Sequence, residues 1–376
     1  MSSSILIALV LLVGALGLAV VLNRWRAVFD RREEVRLVPG EAPMVTLIVP
    51  ARNEERNVAA LLQDLYAQDH PKARTEVILV DDGSEDRTRT IAEGMARTWP
   101  ELNVLRATGT GKKAAIAQGV AEATGDLIIL TDCDVRCGPE RVTSIVRHWS
   151  ANASHMVVLP VITRGTGSLG RLQENEQWAL TGAAMGAAAE GAPLLAYGAN
   201  LAFTRAAFLQ AGGYSGERFA SGDDMFLLQR MRSRGFRISA LTDPAASVTT
   251  EAAPTWGQAL VQRLRWAGKM RGMGVGPLLL GAVVVLFPWL LLLATVHSLE
   301  NLRVGNGALY TLALLIASWA VWALPILALV RSVRQHFGAG GNHASTLLAL
   351  AAFCVHAPLI GAASMFVGTR WKGRRI

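Results

Sequence analysis

Three aspartate groups stand out along the chain: Asp81-Asp82, Asp132-Cys133-Asp134 and Asp223-Asp224. Carboxylates hold hard divalent cations such as Mg2+ or Mn2+ through oxygen, usually with substrate phosphates completing the shell. A carboxylate within hydrogen-bond reach of a hydroxyl also serves as a general base, because an alcohol is too weak an acid to ionise at neutral pH. Each group alone has a plain structural reading. Ser84 and Asp86 suit a helix N-terminus, and Asp223-Asp224 stand before an apolar helix starting at Met225, where the helix dipole favours negative charge. A lone D-x-D is a weak signal; with Asp81-Asp82 on a sister strand it gains weight.

Two phosphate-binding alternatives fail on their residues. Gly109-Thr110-Gly111-Lys112-Lys113 resembles the end of a P-loop, but Arg106 stands where the first glycine belongs and Lys113 where Ser or Thr would bind the metal. No G-x-G-x-x-G follows the first strand, which excludes a dinucleotide fingerprint. Lys112 remains either a cation near a nucleotide or a solvated lysine at a helix start. Further on, Gln262, Arg265 and Trp266 fall in a basic amphipathic stretch, 253–272, that suits a membrane surface.

These residues do chemistry together only if the fold brings them to one edge. Residues 45–49 form a continuous apolar run of the kind that makes a buried parallel strand. Helix over 54–68, strand over 76–80, helix over 85–97, strand over 103–106, helix over 112–123, strand over 126–131 and helix over 139–149 follow. Such alternation specifies an α/β domain with a mostly parallel sheet, in which ligands bind beyond the carboxyl ends of the strands. Beyond 155 the pattern predicts a strand over 156–162, a helical stretch over 168–190 and a strand-to-turn over 197–203. The small residues from Gly182 to Ala192 suit close approach of either a lipid or a neighbouring helix.

The chain is 51% hydrophobic over 376 residues, and the apolar excess lies in runs at 5–22, 275–297, 308–330 and 346–367. Each is about the ~20 residues that span a bilayer. The first lacks a charged leader and reads as an uncleaved anchor. Arg24, Arg26, Arg31, Arg32 and Arg36 behind it place the following domain in the cytoplasm by the positive-inside rule. The expected organisation is an anchor over 1–23, a catalytic domain over 42–250, an interfacial segment over 251–274 and about three apolar segments over 275–370. The setting is an integral protein of a bacterial-type cytoplasmic membrane. Four simple spans would put Arg370, Lys372, Arg374 and Arg375 outside, against the same rule. Either the last segment, with His356 and Pro358, is re-entrant or interfacial, or an earlier one breaks at Pro288 or Pro325. The net charge of +8 is explained by lipid headgroups rather than nucleic acid. Cys133, Cys137 and Cys354 lack the company for a zinc site and read as reduced structural residues.

Taken in order, these residues resemble the membrane-bound inverting family 2 glycosyltransferases, the group containing cellulose, chitin and hyaluronan synthases and ceramide glucosyltransferases. The resemblance covers about residues 44 to 270 and rests on Asp81-Asp82, Asp132-x-Asp134, Gly222-Asp223-Asp224 and Gln262-Arg263-Leu264-Arg265-Trp266 as Q-x-x-R-W. It implies a GT-A fold, Rossmann-like, flanked by transmembrane helices. It further implies Asp81 and Asp82 on the nucleotide base or ribose, and Asp132 and Asp134 toward the diphosphate and a Mg2+ or Mn2+ ion. Gln262, Arg265 and Trp266 would close over the donor diphosphate and the acceptor, and Gly198-Ala199-Asn200 would lie beside the acceptor. The family's acid pair is often Glu-Asp after Thr; here it is Asp-Asp after Gly, so Asp223 and Asp224 both stand as candidates for the base, with Asp224 first. The expected partners are a nucleotide-sugar donor, a UDP-sugar foremost, and a lipid or polysaccharide acceptor in the membrane. Single transfer to a membrane acceptor is the leading expectation. A processive polysaccharide synthase shares the motifs, and an inactive adaptor is disfavoured by retention of every acid.

Overall fold

The computed structural model describes residues 3–31, 42–215, 222–269, 272–302, 308–341, 343–367 and, as backbone, 370–371 and 374–375. Arg32, Arg36, Pro39, Gly40, Ser221, Arg271 and Lys372, and the side chains of Arg370, Arg374 and Arg375, lie outside the described residues. After α1 (Ser3–Asp30) come β1 (Val45–Ala51), α2 (Val58–Tyr66), β2 (Thr75–Asp81), α3 (Thr88–Ala96), β3 (Leu102–Arg106), α4 (Lys112–Glu122) and β4 (Leu127–Thr131). The second half of the domain holds β5 (Val135–Cys137), α5 (Arg141–Asn152), β6 (Met156–Val158), β7 (Val161–Arg164), α6 (Gly167–Ala189), β8 (Asn200–Thr204), α7 (Arg205–Gln210), α8 (Asp223–Ser233), β9 (Ile238–Ala240) and β10 (Val248–Glu251). Four helices follow: α9 (Trp256–Lys269), α10 (Val275–Asn301), α11 (Ala308–His336) and α12 (His343–Ser364).

The main sheet runs β3-β2-β1-β4-β8-β6-β9. Its first four strands are parallel, and β8 is antiparallel to both neighbours. Successive side chains of a strand face opposite ways. Ile48, Ile78, Val80, Ile128 and Leu130 therefore enter one core, and Leu47, Val49, Val77, Leu79, Leu127 and Ile129 the other. Burial of both faces is why these strands read as unbroken apolar runs. The single strand expected over 156–162 is instead two. Pro160 has no N–H to give a ladder, and there the chain leaves the main sheet after β6 to join a smaller one, β5-β10-β7, as β7. The helix expected from 54 begins at Val58, because Asn53 takes a left-handed φ of 50° and the chain turns first.

Four helices, α1, α10, α11 and α12, are long and apolar enough to cross a membrane. Pro288, Pro325 and Pro358 each lie inside a continuous helix, so no break occurs at them. The far halves of α1 and α11 share a cluster of Ala8, Leu11, Ala15, Leu315 and Trp322. Their near ends, through Leu22, Phe29, Leu329, Val330 and Val333, belong to the same core as one face of the sheet. His336, ending α11, sits with Nδ1 3.0 Å from the Phe29 carbonyl and Nε2 2.8 Å from that of Thr242. Between bundle and sheet lies α6, whose small residues meet neighbouring helices. A methyl group on Gly186 would fall 2.3 Å from Trp25 Cβ, and one on Gly182 2.9 Å from Leu329 Cγ.

A Gly186→Ala substitution is therefore expected to cost about 1–3 kcal/mol through overpacking, read as a lower Tm in detergent. Gly94→Ala in α3, with open space around it, should be neutral or stabilising by up to about 1 kcal/mol.

Candidate active site

Because β1, β2 and β4 are parallel and in register, their carboxyl ends align and the residues beyond them meet at one edge. A cleft of about 340 Å³ opens there. Asp82, Lys112, Asp132, Asp134, Asp223, Asp224, Gln262, Arg265 and Trp266 all line it. Asp81 and Asn200 do not. Asp81 is buried one residue back, where its carboxylate accepts the Ser84 N–H at 3.2 Å and shapes the turn that carries Asp82. Asn200 is fully buried: its amide donates to the Pro160 and Ala246 carbonyls at 2.8 and 2.9 Å, and its oxygen accepts from Arg141 at 2.8 Å. With every bond spent inside, it knits the two sheets together. Arg141, itself fully buried, also donates to Thr131 Oγ1 and so anchors the strand end that presents Asp132.

Lys112 opens α4 and reaches across the cleft, its Nζ 2.6 Å from Asp132 Oδ1 and 3.1 Å from Asp223 Oδ2. Burial works against the ammonium charge, but Asp132 and Asp223 outweigh it and hold the lysine well above its usual range. Burial, reinforced by Asp134 and Asp223, pushes the Asp132 carboxyl up to about 6 despite Lys112. Asp223 is buried too, yet Lys112 and Lys269 overcome that effect and keep it below the usual carboxylate range. On the floor, Asp82 Oδ1 accepts the Gly111 N–H at 2.9 Å, and Arg52 donates to the Asp82 carbonyl at 3.1 Å. Burial raises the Asp82 carboxyl against those two opposing contacts.

Asp224 is held on both oxygens: Oδ2 accepts the Gly198 N–H at 3.1 Å, and Oδ1 lies 3.2 Å from Lys269 Nζ. A side chain on residue 198 would stand 2.6 Å from Asp223 Oδ2 and 3.0 Å from Lys112 Nζ, so glycine is the residue that fits. Lys269 and Gly198 both touch the acid pair; Gly198 opens the Gly198-Ala199-Asn200 segment, whereas Lys269 has no motif of its own. The signal for Lys269 was its place four residues after Arg265, one turn along the same helix face.

The cleft offers a divalent cation Asp132 and the exposed Asp134 at the end of β4. Among the described residues, no three His, Cys, Asp or Glu side chains converge into a ready cage. Two carboxylates, with water and phosphate oxygens to complete the shell, fit the way Mg2+ is usually bound. They fit an ion that arrives with a diphosphate. All three cysteines are free.

Residues 46–210 match the family model described as Glycosyl transferase family 2. A beta-monoglucosyldiacylglycerol synthase of Synechocystis sp. is 34% identical over 113 residues, 29% of this chain and 23% of that one. An N-acetylglucosaminyltransferase of Rhizobium leguminosarum bv. viciae is 30% identical over 237 residues, 60% of this chain and 55% of that one. In both cases the chain spans well under two thirds of the relative's length. The mannosyltransferase PcManGT from Pyrobaculum calidifontis, solved in complex with GDP-Man and Mn2+, superposes with a TM-score of 0.57 at 23% identity, over 94% of this chain and 99% of that one. The architecture is thus the GT-A-like α/β domain with flanking apolar helices that the sequence implied.

The raised Asp132 carboxyl has a signed consequence. A cation held through Asp132 would need the ionised form, present above about 6. Mn2+-dependent binding of a nucleoside diphosphate, followed by calorimetry, is expected to weaken about tenfold per pH unit below that value. The effect on folding runs the other way. A folded value above the ordinary 3.8 makes protonation stabilising, a contribution present at low pH and lost as pH rises through about 6.

Proposed function

We propose that this chain transfers a sugar from a nucleoside diphosphate donor to a hydroxyl of a membrane lipid, with inversion at the anomeric carbon. The observation that carries this reading is one cleft holding a fixed carboxylate, Asp224, opposite the Asp132–Asp134 loop and Lys112, with Gln262, Arg265 and Trp266 along its rim. Asp82, fixed through Gly111 and Arg52, is assigned to the nucleoside, and Asp81 to holding Asp82 in place. Asp134 and Asp132 would hold Mg2+ or Mn2+, which supplies positive charge against the leaving diphosphate when bound. Lys112 and Arg265 add fixed positive charge on the same side.

Asp224 takes the proton of the acceptor hydroxyl as its oxygen bonds to C1 and the bond from C1 to the diphosphate breaks. A single displacement of this kind inverts the configuration. Lys269 and the Gly198 N–H orient the carboxylate, and Asp223, neutralised by Lys112, remains the ionised neighbour. The Synechocystis relative, a glucosyldiacylglycerol synthase by name, supports a lipid acceptor. The mannosyltransferase complex with GDP-Man and Mn2+ supports a nucleotide-sugar and a divalent ion; UDP-sugars are the donors to test first, with GDP-sugars beside them.

For topology we take the domain as cytoplasmic, behind the basic end of α1. Helix α12 is tied to α6 at Thr346, whose Oγ1 is 2.8 Å from Asn175 Oδ1, and at His356, 2.6 Å from Glu176. Their partners are adjacent residues of α6, so α12 crosses that helix between Thr346 and His356. Because both ties are polar and made to a helix that lines the cleft, we read α12 as interfacial, with the basic tail on the domain's side. A phosphatase or fluorescent reporter fused to the carboxyl terminus is expected to report the cytoplasmic side; an external signal would make α12 a span.

Membranes containing the chain, given radiolabelled UDP- and GDP-sugars with Mn2+, should yield one organic-extractable product of inverted anomeric configuration. Label in a long polymer would make the chain a synthase instead. Asp224→Asn is expected to lower turnover about 10²- to 10⁴-fold while donor binding survives, whereas Asp134→Ala should weaken the metal-dependent donor binding itself. Equal loss of binding in both would overturn these roles.

A further inference from the structure

Helix α9 carries Gln262, Arg265 and Trp266, yet among its described residues only Ala259 is buried. Trp256, Leu260 and Val261 are 65%, 48% and 46% exposed on the domain's outer side. Apolar burial in the domain therefore does little to fix where the helix stands. Polar ties do it: Lys269 to Asp224 at the end of α9, and side chains of α6 at its beginning and middle. Gln173 grips the entry to α9 in both directions: its Nε2 donates to the Ala253 carbonyl at 3.0 Å, and its Oε1 accepts the Ala253 N–H at 2.9 Å.

One turn along α6, Glu176 divides its carboxylate between two helices. Oε2 pairs with the guanidinium of Arg263, the residue after Gln262 on α9. Oε1 lies 2.6 Å from His356 Nε2 on α12, which must carry the proton facing a carboxylate. The three side chains are only 11%, 14% and 27% exposed for Arg263, Glu176 and His356. Glu176 and Arg263 also lie on the cleft wall.

We propose that Glu176 is the positioning residue of the Q-x-x-R-W helix and that His356 is its membrane-side partner. One carboxylate then sets both the stance of Arg265 and Trp266 over the cleft and the register of α9 against α12. The pair does no chemistry of its own. It acts on the transfer step through α9, by holding that helix where a membrane-borne acceptor and the donor meet. This inference rests on the transferase reading of the cleft.

The test uses the full chain in lipid nanodiscs with Glu176→Gln, His356→Ala and the double variant. Three readouts are taken: UDP or GDP affinity with Mn2+, kcat for transfer to lipid, and hydrogen exchange of the amides over 256–269. Glu176→Gln is expected to lower kcat roughly tenfold to 10²-fold, as a misplaced rim would, and nucleotide affinity by clearly less, since Arg265 is only one of the cations on the diphosphate side. His356→Ala should show a smaller loss, and the double variant no more than Glu176→Gln alone, since both remove one connection. Exchange should quicken in α9 without a matching change in the sheet. Additive losses, equal loss of nucleotide binding, or unaltered α9 exchange would overturn the proposal. If wild type shows no Asp224-dependent transfer from any donor, the functional reading fails, while the exchange data still decide whether Glu176 positions α9.

Discussion

Asp82, Asp132, Asp134, Asp223 and Asp224 face one cleft and repel each other, and each loses hydration as the walls close around it. Lys112 and Lys269 make the arrangement possible. Lys112 bridges Asp132, just past the end of β4, and Asp223, at the start of α8, two points far apart in the chain, and Lys269 draws α9 onto Asp224. The rest of the site follows from this charge balance. Helix α4 begins where Lys112 can reach inward, residue 198 has no side chain because two charged groups pass beside it, and the Q-x-x-R-W helix closes on the acid pair through its last turn. In the proposed reaction a bound diphosphate would bring negative charge into the same space, so substrate, metal and lysines would share one electrostatic problem.

Much of this was legible in the residues. Unbroken apolar strands at 45–49, 76–80 and 126–131 announced a sheet buried on both faces, and acids just past two of them marked its working edge. What could not be read was which elements meet. Asn200, in a small-residue segment, looked like an acceptor contact; it is an internal tie, because Arg141 and two carbonyls consume its amide. Asp81 and Asp82 are adjacent in sequence, yet only Asp82 reaches the cleft. Lys269 had no motif, and its role emerges only where α9 packs onto α8. Pro160 fell inside the single strand expected over 156–162, and it marks the point where the chain changes sheets.

The small residues of α6 show the same limit from another side. Spacing alone left lipid and helix as equal occupants, and Trp25 against Gly186 resolves the question in favour of a helix. With its polar turn at Gln173, Glu176 and Gln177 facing the cleft and its glycines facing α1 and α11, this one helix joins two environments of very different polarity.

The shared core of sheet and membrane helices also bears on how the molecule is made. Leu329, Val330, Val333 and Phe337 complete a core whose other walls, Ile48 and Ile128 among them, leave the ribosome two hundred or more residues earlier. During synthesis α1, α4 and α6 can cover that face first, but the core stays incomplete until α11 has been made. The domain thus reaches its final form only after a segment made well after the cleft's own residues is in place.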